Sequence, residues 1–181
     1  MNTALEEEYG RWLDEFQDET DRACAVLGAA FLDHALGELL HAFLREDERV
    51  RERLFGRNRP LANFGTRVDV AFALGIIGTT EHHDLDLVRK IRNHFAHELT
   101  GAFNVSPVAD WCRELHGPEE LGFRMPHDAV EPVRFRFITA VVLIAVTLRG
   151  RATTLAHRQE PESMRDVEAR VRASLPSTPD E

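Results

Sequence analysis

The apolar positions between Asp21 and Leu44 recur with a helical period: Ala23, Val26, Leu27, Ala30, Phe31, Leu36, Leu39, Leu40 and Phe43. The stretch from Ala23 to Leu32 is apolar nearly all round, which predicts a central buried helix. Upstream, Leu5, Tyr9, Trp12, Leu13 and Phe16 keep three-to-four spacing among acidic residues, the pattern of an amphipathic first helix. A charged segment, Arg45 to Arg53, leads to the breaker cluster Gly56-Arg57-Asn58-Arg59-Pro60. The next apolar helix is expected from about Arg67 to Ile77, closed by Gly78. Thr79-Thr80 then offers an N-cap, and Glu81, Asp84 and Asp86 favour the first turns of a helix running to His97. Glycines and prolines interrupt the chain between Thr100 and Pro132, leaving room for a short helix at Val108 to Leu115.

Arg134 to Arg149 is rich in β-branched residues, but its length and the lack of a partner strand favour a helix. Asp166 to Leu175 reads as a short polar helix and 176–181 as a disordered tail. The expectation is one all-α domain over residues 1–175, a bundle of about six to seven helices. Its buried centre should include Val26, Leu27, Phe31, Leu74, Val88, Ile91, Phe95 and Val142.

One residue does not suit this pattern. With Arg92 at zero on a helical wheel, Leu85, Val88, Phe95, Ala96 and Leu99 fall within about 60° of it. An arginine there must be paired, or must open onto a cleft or a partner surface. Asp33 and Asp69, inside apolar runs, are the acids that could pair with it. Asn93 and His97 lie one turn apart on a polar stripe with Asp86 and Lys90. Arg92 and His97 are about 140° apart on an ideal helix, so they share a site only if the helix distorts or a second protomer completes the cleft. His97 also has a plainer role, as a helix C-terminal residue favoured by the dipole.

Arg92-Asn93-His94-Phe95-Ala96-His97 resembles the Arg-x4-His motif, with a polar residue after the arginine, of HEPN-superfamily proteins. The segments DRACAVLGAAFLDHALGELL, LFGRNRPLANFGTRVDVAFALGIIG and HHDLDLVRKIRNHFAHE, in that order, resemble the mannitol operon repressor (MltR) branch, with weaker likeness in RFITAVVLIAVTL. The resemblance implies a helical bundle, often a homodimer, in which motif residues of two protomers face one cleft. In nuclease members of the wider superfamily it implies metal-independent RNA cleavage. His97 would then take the 2′-hydroxyl proton, Arg92 would stabilise charge on the phosphate and Asn93 would orient it. Some HEPN toxins carry a tyrosine two residues after the motif histidine, a target of a partner nucleotidyltransferase; here that position is Leu99, and Tyr9 is the one tyrosine of the chain. The branch most resembled is named for gene regulation. Two functions are therefore expected to compete: a regulatory module that binds a protein or RNA, and an endoribonuclease using Arg92, Asn93 and His97.

Composition narrows the choice. A formal charge of -9 repels nucleic acid and anionic membranes over the whole molecule. Ala71 to Phe95 mimics a helix-turn-helix, but its reader would begin Glu81-His82-His83-Asp84, acidic where DNA-binding helices are basic, so direct DNA binding is not expected. The same cluster with Asp86 invites a metal, His82 and Asp86 being one turn apart; a solvated acidic first turn is the preferred reading, and no metal or cofactor is expected. His34 and His41 read as core or interface histidines, and Arg45 to Arg59 as a solvated charged face. Cys24 and Cys112 form no CxxC, the first residues lack a signal pattern, and the longest apolar run, Phe137 to Leu148, is shorter than a membrane span. The expected location is cytoplasmic.

Overall fold

A computed structural model of the chain describes residue 16 and residues 18–98, 101–116, 132–155 and 170. Among these there are helices and no strands: α1 (Asp21–Phe43), α2 (Glu48–Phe55), α3 (Phe64–Ala73), α4 (Thr79–His97), α5 (Val108–Glu114) and α6 (Pro132–Thr154). The expected all-α bundle is thus what forms, and the β-branched run around Val141 is helical. Apart from Phe16 and Arg170, the first amphipathic helix, the helix at 166–175 and the tail at 176–181 lie outside the described residues.

Side-chain caps set three of the helix starts. Thr20 Oγ1 accepts from Ala23 N, Asp47 Oδ1 from Val50 N and Asn63 Oδ1 from Thr66 N. The second and third caps correct the sequence reading. Asp47 starts a helix inside the segment read as a charged connection, and it is invisible to apolar periodicity because α2 has no buried residue. Asn63 starts α3 ahead of Arg67, and α3 ends at Ala73, where Gly75 takes a φ of 70° that suits glycine. Gly78 therefore opens α4 instead of closing α3: its N–H donates to Glu81 Oε2 at 2.6 Å.

α1 runs through the middle of the bundle, against α6, α4 and α3, while α5 packs on α4 and α6. Its length and a mean hydropathy of 1.5 would allow it to cross a membrane. Here it is a core helix, burying Cys24, Ala25, Leu32, Leu36, Leu39 and Leu40, with Asp33 paired to Arg67. Val88, Ile91, Phe95 and Val142 lie in the core as expected. Val26 and Leu27 do not: they are 39% and 43% exposed, because a helix apolar on every side gives no sign of which face is covered. Phe31 is only partly buried, and Leu74, just past the end of α3, is exposed. His34 is likewise a surface residue beside Glu38, whereas His41 is half-buried and stacks on Phe55 at 3.9 Å between centroids.

Both cysteines are buried free thiols, and desolvation pushes each up to about 12, so neither ionises near neutrality. At the other end of α4, Arg151 of α6 donates to both carboxylate oxygens of Glu81 and to the Ile76 carbonyl. Burial would raise the Glu81 pKa, but the bonds from Arg151 and Gly78 outweigh it, and the carboxyl is held below its ordinary value of 4.5. The stability this contributes is complete above the ordinary value and is lost as pH falls from there through the lower folded value. Urea titrations across this range should show a steeper acid limb for the wild type than for Glu81→Gln. Parallel acid limbs would remove Glu81 from the account.

Candidate functional site

α4 carries the motif residues and sets their exposure. Its buried face is Asp84, Leu85, Leu87, Val88, Ile91 and Phe95, and Arg92 lies at the edge of that stripe instead of its middle. The side chain is exposed, so the chain does not leave a buried charge to be compensated. Arg92 Nη1 donates to Asn93 Oδ1 at 2.9 Å. The two acids expected as partners are engaged elsewhere: Asp33 pairs with Arg67 at 2.9 Å, and Asp69 with His82 at 3.3 Å.

Arg92 and Asn93 open onto a groove of about 470 Å³ between α1, the start of α3 and α4. Val26 and Ala30 form one wall, Asn63 and Gly65 another, and Arg89 and Asp33 complete its polar lining. Arg89 is neutralised locally by Asp86, with both Nε and Nη2 bonded to Oδ1. Burial raises the pKa of Asp33 despite the opposing effects of Arg67 and, more weakly, Arg92. The groove thus presents one guanidinium that is not held by an acid within hydrogen-bond reach among the described residues, beside a carboxamide and an apolar wall. Such a surface suits an anionic or hydrogen-bonding group of a partner.

His97 is exposed in the last turn of α4 and is not among the described residues lining this groove. α4 stays helical through His97, and its cap bond runs from Glu98 N to the His94 carbonyl at 2.8 Å. The helix therefore brings Arg92 and Asn93 together and leaves His97 on another face. No distortion closes the angle between them.

The expected acidic first turn of α4 divides into three environments. Glu81 binds Arg151, and His82 lies against Asp69 and Phe72. Asp84 is not solvated as the sequence suggested: it is 3% exposed and turned inward toward the end of α5. There Asp84 Oδ1 meets His116 Nδ1 at 2.8 Å, His116 N at 3.2 Å and His83 Nδ1 at 3.3 Å. His116 had no signal in the sequence, since it lies in the Gly- and Pro-broken region whose folding periodicity does not reach. Ala71 to Phe95, set aside in the sequence as a mimic of a helix-turn-helix, holds α4 in the bundle core. The helix that would read DNA is buried on one face and is tied at its start to Arg151 of α6 through Glu81 and to His116, just past α5, through Asp84.

No family model matches the chain, and no curated protein matches it in sequence. Its fold does match a solved structure, MtlR in the X-ray structure of the MtlR-HPr complex from Escherichia coli, with a TM-score of 0.60 and 20% sequence identity. The match covers 80% of this chain and 98% of that one. The likeness to the mannitol operon repressor branch is therefore present in three dimensions, and the described helices form an MtlR-like all-α bundle.

Proposed function

We propose that the chain is a homodimeric regulatory module of the cytoplasm that binds a protein partner and has no DNA reader of its own. The observation that carries this reading is the fold likeness to MtlR, a protein seen in complex with the protein HPr. The groove at Arg92 and Asn93 supplies a docking surface, with an apolar wall beside an exposed guanidinium, a residue type favoured at binding hot spots. Leu27, exposed on α1 next to the groove-lining Val26 but not itself in the groove, supplies apolar area for a two-fold contact.

A second reading, metal-independent endoribonuclease activity, draws on the exposed Arg92 bonded to Asn93. In that reading His97 of one protomer works with Arg92 of the other, because one helix holds them on different faces.

The test uses the full chain. Light scattering at micromolar concentration should give a dimer, and Leu27→Asp a monomer. Purified HPr should bind the wild type in calorimetry, bind Arg92→Ala roughly tenfold more weakly and bind His97→Ala unchanged. Incubation with total RNA in EDTA should leave the RNA intact. Cleavage to 2′,3′-cyclic phosphate ends, abolished by both His97→Ala and Arg92→Ala, would replace the binding module with the enzyme. A folded wild type that neither binds HPr nor cuts RNA overturns both.

A further inference from the structure

Three nitrogen and oxygen ligands converge at the junction of α4 and the end of α5, away from the Arg92 groove. Asp84 Oδ1, His83 Nδ1 and His116 Nδ1 meet with the two contacts to the carboxylate at 3.3 and 2.8 Å, and one ligand atom from each of the three residues lies within 4.8 Å of the other two. The rings of His83 and His116 stand edge to face, with centroids 5.4 Å apart. From this arrangement we propose that His83, Asp84 and His116 bind a divalent transition-metal ion of the zinc type, independently of the function assigned to the groove.

The geometry is close to what such an ion requires. In a tetrahedral site with metal–ligand bonds of about 2.0–2.1 Å, ligand atoms lie roughly 3.3–3.4 Å from one another. The two separations from Asp84 Oδ1, 2.8 and 3.3 Å, lie at or just below that distance, so the imidazoles have to turn slightly outward from the carboxylate to admit the ion. The two imidazoles are partly exposed, at 47% and 39%, whereas Asp84, at 4%, is the buried member. The backbone N–H of His116 donates to Asp84 Oδ1 and holds the carboxylate in place as an outer-shell partner. A neutral ring that now donates from Nδ1 would shift its proton to Nε2 and turn the Nδ1 lone pair to the metal, with no change in charge. Two imidazoles with one carboxylate select zinc or a similar ion over magnesium or calcium, which prefer oxygen. Three protein ligands leave a coordination position on the exposed side for water or a partner's ligand.

The neighbours explain why this set differs from the rest of the α4 start. Glu81 is held by Arg151, Asp86 by Arg89 and Lys90, and His82 by Asp69, so those groups are directed away from the cluster. The His82–Asp86 pair favoured by spacing alone is not part of it.

The experiment is titration of the full-length protein, freed of metal by a chelator, with zinc chloride in calorimetry, and with cobalt chloride followed by visible absorption. One equivalent per chain should bind, with the intense d–d bands of a four-coordinate cobalt site. His83→Ala and His116→Ala should each weaken binding by at least about 100-fold, while His82→Ala leaves it unchanged. Should either alanine variant fail to fold, the wild type alone decides: the ring resonances of His83 and His116 should shift together, saturating at one equivalent of zinc. Absence of saturable binding in the folded wild type overturns the proposal, and so does binding that survives both substitutions or that shifts other histidines instead. Either result would leave the cluster as a hydrogen-bonded tie between α4 and α5.

Discussion

Arg67→Ala is expected to lower the unfolding free energy by about 2–4 kcal/mol, a loss that urea denaturation reads directly as a lower midpoint. Arg67 is a hub between three helices. Its Nε donates to the Leu61 carbonyl at 2.8 Å, its Nη1 donates to the Asp33 carbonyl and carboxylate at 2.9 Å each, and its guanidinium lies 5.7 Å from the centre of the Phe55 ring. Truncation deprives two backbone carbonyls of a charged donor and leaves Asp33 in a half-buried site without its guanidinium. A lysine cannot reach Leu61 and Asp33 together, so Arg67→Lys should recover less than half of the loss. The ion pair itself accounts for little of the effect. Burial already raises the Asp33 pKa against the pull of Arg67, so Asp33→Asn should cost about 1 kcal/mol or less. Equal costs for Arg67→Ala and Asp33→Asn would refute this division between the carbonyl bonds and the charge pair.

Phe137→Ala should cost about 3–5 kcal/mol, since the ring is fully buried at the contact of α1 and α6 and its removal leaves a cavity that packed helices cannot close. Phe137 also ends a row of aromatic rings: it lies 5.0 Å from Phe103, which lies 5.1 Å from Phe95 of α4. α1 comes this near because position 28 has no side chain. A Cβ built there would stand 3.1 Å from Phe137 Cε1 and 3.3 Å from Val141 Cγ2. Gly28→Val should therefore cost about 1–3 kcal/mol in the wild type and distinctly less in a Phe137→Leu background, a coupling that a double-mutant cycle measures. Additive costs would mean that the two positions do not share this contact.

The parts of the fold legible in the sequence are those whose burial is one-sided. α4 and α6 declare themselves through Val88, Ile91, Phe95 and Val142, apolar residues repeated at the helical period and buried. α2 escapes because nothing in it is buried, so its evidence is Asp47 as a cap. α1 is legible as a helix but not as an oriented one, so periodicity places Val26 and Leu27 in the core although both are exposed. The motif arginine stands out in the sequence by its conflict with the apolar stripe, and the fold resolves the conflict by exposing it at a groove edge. The joining of Asp84 to His116 is a contact across 32 residues, which no local pattern encodes.

The position of α1 also bears on how the protein is made. Its main packing partner, α6, begins only at Pro132, roughly 90 residues after α1 ends. At a translation rate of about 5–20 residues per second, α1 waits roughly 5–20 s for its cover. Throughout that interval the ribosome displays a helix apolar enough to pass for a membrane span. The expected consequence is that yield in cells depleted of factors that shield or sort apolar segments falls more than the stability of the finished bundle would suggest.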